Sequence, residues 1–357
     1  MQAAILDHLP DGLLQLPATE LRERLSGPTL IHLPGRMPQP LFVSVLQHGN
    51  ETSGWDAVRR LLRSRYRRDP LPRSLILLIA NVDAAAAGVR HLPDQPDFNR
   101  CWPGSETEHT PVHSMYRSVH DHVKRFKPFA SLDIHNNTGE NPHYAAVNSI
   151  EPKRLHLASL FSRTVIYFTQ PLGVQSIAFG EFCPSVTLEC GLAEHEDGAD
   201  HAMAYLENIL NLRQLPETLP KPDDLELYRM IATVTVSPDV DFGFNQTAHD
   251  LRLPPDLDRL NFSEMPPGTR LAQLVNGYDK ASPLKATSHE GGDLSTHCFR
   301  TRERDIVTAR PLMPAMMTTD EDIVRQDCLC HLMERFTPSH PDIEDVSDEP
   351  ELPENLP

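Results

Sequence analysis

The sequence predicts an α/β fold, a sheet covered on both faces by helices and followed by a smaller β-rich region. Two observations carry this. Between residues 41 and 212, short apolar, β-branched runs alternate with segments of helical period. That is the pattern of strands buried between helix layers. Near Leu215 the pattern stops, and Pro216, Pro220 and Pro222 mark a linker before short strand-like pieces separated by Gly and Pro turns.

Taken in order, residues 1-40 read as a lead-in, with a short helix around Thr19-Leu25 and a loop carrying Pro34, Pro38 and Pro40. Leu41-Leu46 is a buried strand by composition. Ser53 is a candidate cap for a helix in which Trp55, Val58, Leu61, Leu62 and Tyr66 recur at helical spacing. Ser74-Ala80 is a second buried strand. Asn81-Pro111 lacks periodicity and reads as a long loop, and such loops in compact domains tend to be functional. Pro111-Phe126 reads as a helix and Phe129-Ile134 as a third strand, ending at His135. A helix over Glu151-Phe161, strands over Thr164-Thr169 and Ser185-Cys190, and a helix over Glu194-Leu212 complete the first unit. The expected organisation is a lead-in (1-40), a catalytic unit (41-215), a β-rich unit with a final helix over Asp320-Phe336 (223-336) and an acidic, disordered tail (338-357).

Fifty acidic against 33 basic side chains give a net charge of -17, which repels phosphate backbones and argues against nucleic-acid or anionic-membrane binding. No run approaches the about 18 apolar residues of a membrane span. The first 25 residues lack a basic segment, and Asp7, His8, Pro10 and Asp11 interrupt their apolar stretches, so they do not read as a signal peptide. Six cysteines in 357 residues do not imply a disulfide framework. The expected compartment is the cytoplasm, and a homo-oligomer is compatible with this reading.

Several polar residues stand at the ends of the expected strands: His48 in QHGNE, His135 in SLDIHNNTG and Glu189 in VTLECG. In an open α/β sheet the ligand crevice lies outside the carboxyl ends of the strands, so residues distant in sequence can converge there. Two imidazoles and a carboxylate form a catalytic zinc set with a position left for water. His48 and Glu51 are three residues apart, one tight turn that Gly49 would ease. With His135 they are the expected ligands of one Zn2+ per chain. Glu189, set among apolar neighbours, is the candidate general base for a zinc-activated water. The long loop offers Arg90, Asn99 and Arg100 for an oxyanion and a substrate carboxylate. Asp133 shares a strand face with His135 and is placed to orient its imidazole.

The motifs HGNE (48-51), DFNR (97-100), DIHNNTG (133-139) and TLECG (187-191), in that order, resemble the succinylglutamate desuccinylase/aspartoacylase family of the zinc carboxypeptidase superfamily. The resemblance implies a zinc-carboxypeptidase-like mixed sheet and a smaller β domain that narrows the entrance. It also implies zinc on His48, Glu51 and His135, Glu189 as proton shuttle, Arg90 polarising the scissile carbonyl, and Asn99 with Arg100 on a substrate carboxylate. Where aspartoacylases carry a further carboxylate-gripping arginine, this chain has Gln175, so Gln175 is a candidate substrate contact and N-acetylaspartate an unfavoured substrate.

The leading functional expectation is therefore zinc-dependent amide hydrolysis of a small carboxylate-bearing N-acyl amino acid. The alternative is a carboxypeptidase trimming a short peptide, and a non-catalytic binding homologue is less favoured. Cys328-Leu329-Cys330-His331 offers a rival metal site, but it lacks a second Cys pair, so these residues are read as incidental members of the last helix.

Overall fold

The computed structural model describes residues 1–244, 250–275, 282–288 and 290–337. The tail expected to be disordered, 338-357, lies outside the described residues. The first part of the chain supplies nine strands: β1 (Ala4–Leu6), β2 (Thr29–Leu33), β3 (Gly35–Val45), β4 (Leu71–Ile79), β5 (Ala130–Asn137), β6 (Tyr144–Val147), β7 (Thr164–Tyr167), β8 (Ser185–Leu192) and β9 (Glu226–Val236). They hydrogen-bond in the order β1-β2-β4-β3-β5-β8-β6-β7-β9. β4, β3, β5 and β8 run parallel, while β2 and β6 are antiparallel to their neighbours β4 and β8. The sheet is mixed.

Six helices accompany these strands: α1 (Ser53–Ser64), α2 (Val82–Ala87), α3 (Pro111–Lys124), α4 (Pro152–Ser159), α5 (Gln175–Gly180) and α6 (Glu196–Asn211). Alternate side chains of a strand point to opposite faces. In β4, Leu75, Leu77 and Ile79 therefore join the core under α1 and α6, while Ile76 and Leu78 join the core under α3 and α5. Both faces are apolar because both are covered, which is why the strands read as unbroken apolar runs.

The C-terminal part is not a separate sheet throughout. β9 pairs with β7 in the main sheet and also carries the strands Leu284–Ser288 and Cys330–Arg335. A second, five-stranded sheet is built from Phe242–Gly243, Leu251–Arg252, Arg270–Leu274, Asp305–Thr308 and Phe299–Arg302. The region is β-rich, as expected. The expected final helix is not continuous, however: Asp320-Phe336 is a short helix α7 (Glu321–Gln326) followed by the strand Cys330–Arg335. Asp320 caps α7 by accepting from the Asp322 and Ile323 N–H groups, and the apolar residues beyond it alternate against β9 rather than following a helical period.

Three further local differences bear on the site. Ser53 does not cap α1 with its own side chain, and Asn136 of β5 instead accepts from the Ser53 N–H at 3.1 Å. The long loop contains α2, and the stretch after Gln170 contains α5, both too short for a periodic signal. Gly49 serves close approach rather than a turn of unusual φ. A Cβ there would lie 2.2 Å from the Ala84 carbonyl carbon and from the Ala85 nitrogen. Gly49→Ala must therefore push α2 away from the turn after β3. We expect a loss of about 1–3 kcal/mol of folding stability, the usual cost of overpacking. Denaturant unfolding of both proteins checks this, and equal stability would remove the packing argument.

Candidate metal centre and substrate cavity

β3, β5 and β8 are adjacent, parallel neighbours, so their carboxyl ends lie side by side. That places His48 just beyond β3, His135 on β5 and Glu189 on β8, with His135 and Glu189 paired in register. The chain leaves β3 through Leu46, a buried residue with φ of 60°. That left-handed conformation is uncommon for a residue other than glycine, and it turns the chain so that Gln47 and His48 head for the crevice.

Glu51 sits between the two imidazoles. Its Oε1 lies 2.7 Å from His48 Nδ1, and its Oε2 lies 2.7 Å from His135 Nδ1. The Asn136 N–H donates to Oε2 at 3.2 Å. Burial opposes ionisation of Glu51, but His48 and His135 outweigh it and hold the carboxyl well below its ordinary range. The outer nitrogens of both rings meet carboxylates: His48 Nε2 is 2.9 Å from Asp97 Oδ1, and His135 Nε2 is 2.9 Å from Asp133 Oδ2. Such partners fix the tautomer and turn each Nδ1 lone pair inward. Two inward nitrogens and a carboxylate, all buried, are a donor set that fits a divalent cation. Among the described residues no other group of three His, Cys, Asp or Glu side chains comes together in this way.

The supporting carboxylates are themselves satisfied. Asp133 is fully buried and accepts from Ser44 Oγ at 2.5 Å and Gln47 Nε2 at 2.7 Å. Gln47 Oε1 in turn accepts from Trp102 Nε1 and Tyr116 Oη. Asp97 accepts from Arg90 at 2.9 Å. Burial would raise its pKa, but His48 and Arg90 hold it well below the usual carboxylate range.

Beside this cradle lies a cavity of about 130 Å³. It is lined by His48, Glu51, Arg90, Asn99, Arg100, His135 and Glu189. Glu189 accepts from Asn137 Nδ2 at 2.9 Å. Burial is the main influence on it and pushes its pKa up to about 8, helped by Glu51 and Asp133 and opposed by His135. Asn99 Nδ2 lies 3.2 Å from His135 Nε2, and Asn99 Oδ1, although buried, finds no hydrogen-bond partner among the described residues. A larger surface cavity of about 780 Å³ lies elsewhere, between Leu9, Leu33 and Tyr66, and holds none of this chemistry.

One expected site residue falls outside the cavity. Gln175 is fully buried on α5 and donates to Ser131 Oγ and to the Leu132 carbonyl, both at 3.1 Å. It braces the middle of β5 and is not placed to meet a substrate. Conversely, Cys328 and His331 do line the cavity, with Cys328 Sγ 3.7 Å from His331 Nε2, whereas Cys330 packs into the C-terminal core. They flank and begin a strand, not a helix, so the CxCH run is split between two surroundings. Asp97, Asn137 and Asp327 were not singled out from the sequence. Asp97 lies within the DFNR motif, which is the only signal that pointed to it.

Residues 40–207 match the succinylglutamate desuccinylase/aspartoacylase catalytic domain. Through that region the chain resembles the succinylglutamate desuccinylase/aspartoacylase family, as its motifs lead one to expect. The family is one of desuccinylase/aspartoacylase-type hydrolases. No curated protein sequence matches the chain. Solved structures do. A succinylglutamate desuccinylase from Chromobacterium violaceum aligns with a TM-score of 0.52 at 18% identity, covering 78% of this chain and 86% of that one. A succinylglutamate desuccinylase/aspartoacylase from Rhodobacter sphaeroides gives 0.56 at 14% identity over 86% and 88%. Murine aminoacylase 3 gives 0.55 at 16% identity over 85% and 97%. At these identities the likeness is one of fold, and it spans the C-terminal region as well as the family's catalytic domain. No helix among the described residues is long and apolar enough to cross a membrane.

The placement of Gln175 has a measurable consequence. Gln175→Ala should lower folding stability by about 1–3 kcal/mol, because it leaves buried partners unpaired. The same variant should leave KM unchanged for any substrate the protein turns over. A raised KM at unchanged stability would return Gln175 to the substrate site.

Proposed function

We infer that the protein is a zinc-dependent amidohydrolase that removes the acyl group from a small, carboxylate-bearing N-acyl amino acid. The observation that carries this reading is the meeting, in one cavity, of the His48-Glu51-His135 cradle with Glu189 and the cationic Arg90 and Arg100. Zinc in such a cradle supplies a Lewis acid and makes hydroxide available near neutral pH.

The side chains divide the remaining work. Glu189 is buried and held by Asn137, and its raised pKa suits it to take a proton and hand it to a departing amine. A dication in the cradle would lower that pKa again, toward an operating range near neutrality. Arg90 is fixed by Asp97 and brings positive charge to the cavity wall, where an oxyanion would develop. Arg100 presents guanidinium donors for a substrate carboxylate. The unmet Oδ1 of Asn99 shows that its amide has spare capacity. A half-turn of that amide would offer Nδ2 to a substrate oxygen instead.

The cavity's size favours the deacylase reading over peptide trimming. Its volume of about 130 Å³ is below the roughly 300 Å³ at which drug-sized ligand pockets begin. A single N-acyl amino acid suits that space better than an extended peptide.

Metal analysis of the purified protein should return one zinc per chain, and His48→Ala should lose both metal and activity. Glu189→Gln should keep the metal and lose turnover by about 100- to 10,000-fold, the usual worth of a positioned proton-transfer group. Zinc-free protein that resists reconstitution, or a fully active Glu189→Gln variant, would overturn the mechanism. Arg100→Ala should raise KM for carboxylate-bearing substrates about tenfold or more with a smaller change in kcat. An unchanged KM would remove Arg100 from the substrate contacts.

A further inference from the structure

Asp327 follows α7 directly and faces the two arginines of the cavity. Its Oδ2 lies 3.6 Å from a terminal nitrogen of Arg90 and 3.6 Å from one of Arg100. The backbone that carries this carboxylate is held by its helix. Val324 is buried in the C-terminal core, and Arg325 donates to the Ser237 and Val240 carbonyls while stacking over Phe242, 4.4 Å from the ring centroid. The Asp327 N–H closes on the Ile323 carbonyl at 2.8 Å. Asp327 thus stands on the cavity wall between the two guanidinium groups.

The charges around the substrate end can be paired off. Arg90 already faces Asp97 at 2.9 Å and Glu51 at 3.7 Å. Asp327 stands against both Arg90 and Arg100. Two guanidinium groups are therefore met by Asp97 and Asp327, before Glu189 is considered. Arg100 keeps unused donors, since a guanidinium has five and the Asn99 carbonyl takes only one of its terminal N–H groups at 2.9 Å. One substrate carboxylate can be accommodated there. A second would face Asp327 with both guanidinium groups already paired, and like-charge juxtaposition discriminates strongly against a ligand. The remaining wall is mixed: Phe168, Val174, Met230, Met316 and Ile323 are apolar, while Asn137, Gln170, Thr187 and His331 are polar.

We propose that Asp327 is a specificity-determining residue that restricts the cavity to N-acyl amino acids with a single carboxylate, and that it rejects dicarboxylates. This rests on the amidohydrolase reading above for its reaction, but not for its charge argument. The carboxylate acts by repulsion: it takes no part in proton transfer and excludes ligands whose second anionic group would lie beside it.

The test uses the full-length, zinc-reconstituted protein and Asp327→Asn, with Asp327→Ser as a second variant. Hydrolysis of N-acetylnorleucine and N-acetylphenylalanine is compared with that of N-acetylaspartate and N-acetylglutamate. Calorimetric binding of the four free amino acids is measured alongside. The wild type should favour the monocarboxylates by about tenfold or more in kcat/KM and in Kd, and both variants should shrink that ratio at least about tenfold. A wild type that prefers dicarboxylates, or variants that leave the ratio unchanged, would overturn the proposal. If nothing is hydrolysed while binding still discriminates and responds to Asp327, the charge assignment stands and the amidohydrolase reading falls. Absence of both hydrolysis and binding would defeat the two together.

Discussion

The site depends on a buried carboxylate, Glu51, ionised between two imidazoles. Taking a carboxylate out of water is costly unless it is paired and hydrogen-bonded. Here the compensation comes from His48, His135 and the Asn136 N–H. Each imidazole then requires a partner for its outer nitrogen, which brings in Asp97 and Asp133. Asp133, fully buried, requires Ser44 and Gln47, and Gln47 requires Trp102 and Tyr116. A chain of satisfied polar groups thus runs from the aromatic core to the cradle. A buried network of this kind is stable only when every member is met.

That chain also explains why the long segment after β4 is ordered although it has no periodicity. Arg90 and Asp97 both lie on it and pair with each other. The Gly49 N–H donates to the Arg90 carbonyl, and the Trp102 N–H donates to the Gly173 carbonyl. Gly173 has φ of 78°, and a Cβ on it would fall 2.4 Å from the Arg100 carbonyl oxygen. The loop is therefore clamped on both sides of Asn99 and Arg100 by contacts that only glycine permits. Arginines on an unpinned loop would sample many positions, whereas these are held where the cavity needs them.

Much of the architecture was legible in the sequence because buried parallel strands leave a strong apolar signature, and because His48, His135 and Glu189 interrupt it at strand ends. Other features left no such mark. β6 is four residues long, and α2 and α5 are six each, below the length at which a period can be read. The family resemblance makes Gln175 a candidate substrate contact. Only the presence of α5 shows that its side chain turns toward β5. Asp327 is invisible to local reading because its partners, Arg90 and Arg100, are more than 220 residues away. The CxCH run misled in a different way. Cys328 precedes the strand, and within it His331 faces the opposite way from Cys330, so Cys328 and His331 share the cavity while Cys330 turns into the core.

The two ends of the chain contribute unequally to one cavity, and the join between them explains how. β9 belongs to the main sheet through β7 and to the C-terminal strands through Leu284–Ser288 and Cys330–Arg335. Met230 on β9, with Met316, Ile323 and Asp327 beyond it, can therefore stand opposite residues presented by β3, β5 and β8. The strand ends hold the reactive groups, whose geometry a change of substrate must not disturb. The later segments hold apolar side chains, Cys328, His331 and the carboxylate of Asp327, which reaches the cradle through Arg90. On the other flank the coupling is tight. Asn136 accepts from Ser53 at the start of α1, while its own N–H donates to Glu51. A shift of α1 must move the Glu51 carboxylate, so the affinity of the cradle for a cation and the stability of this helix are linked through one asparagine.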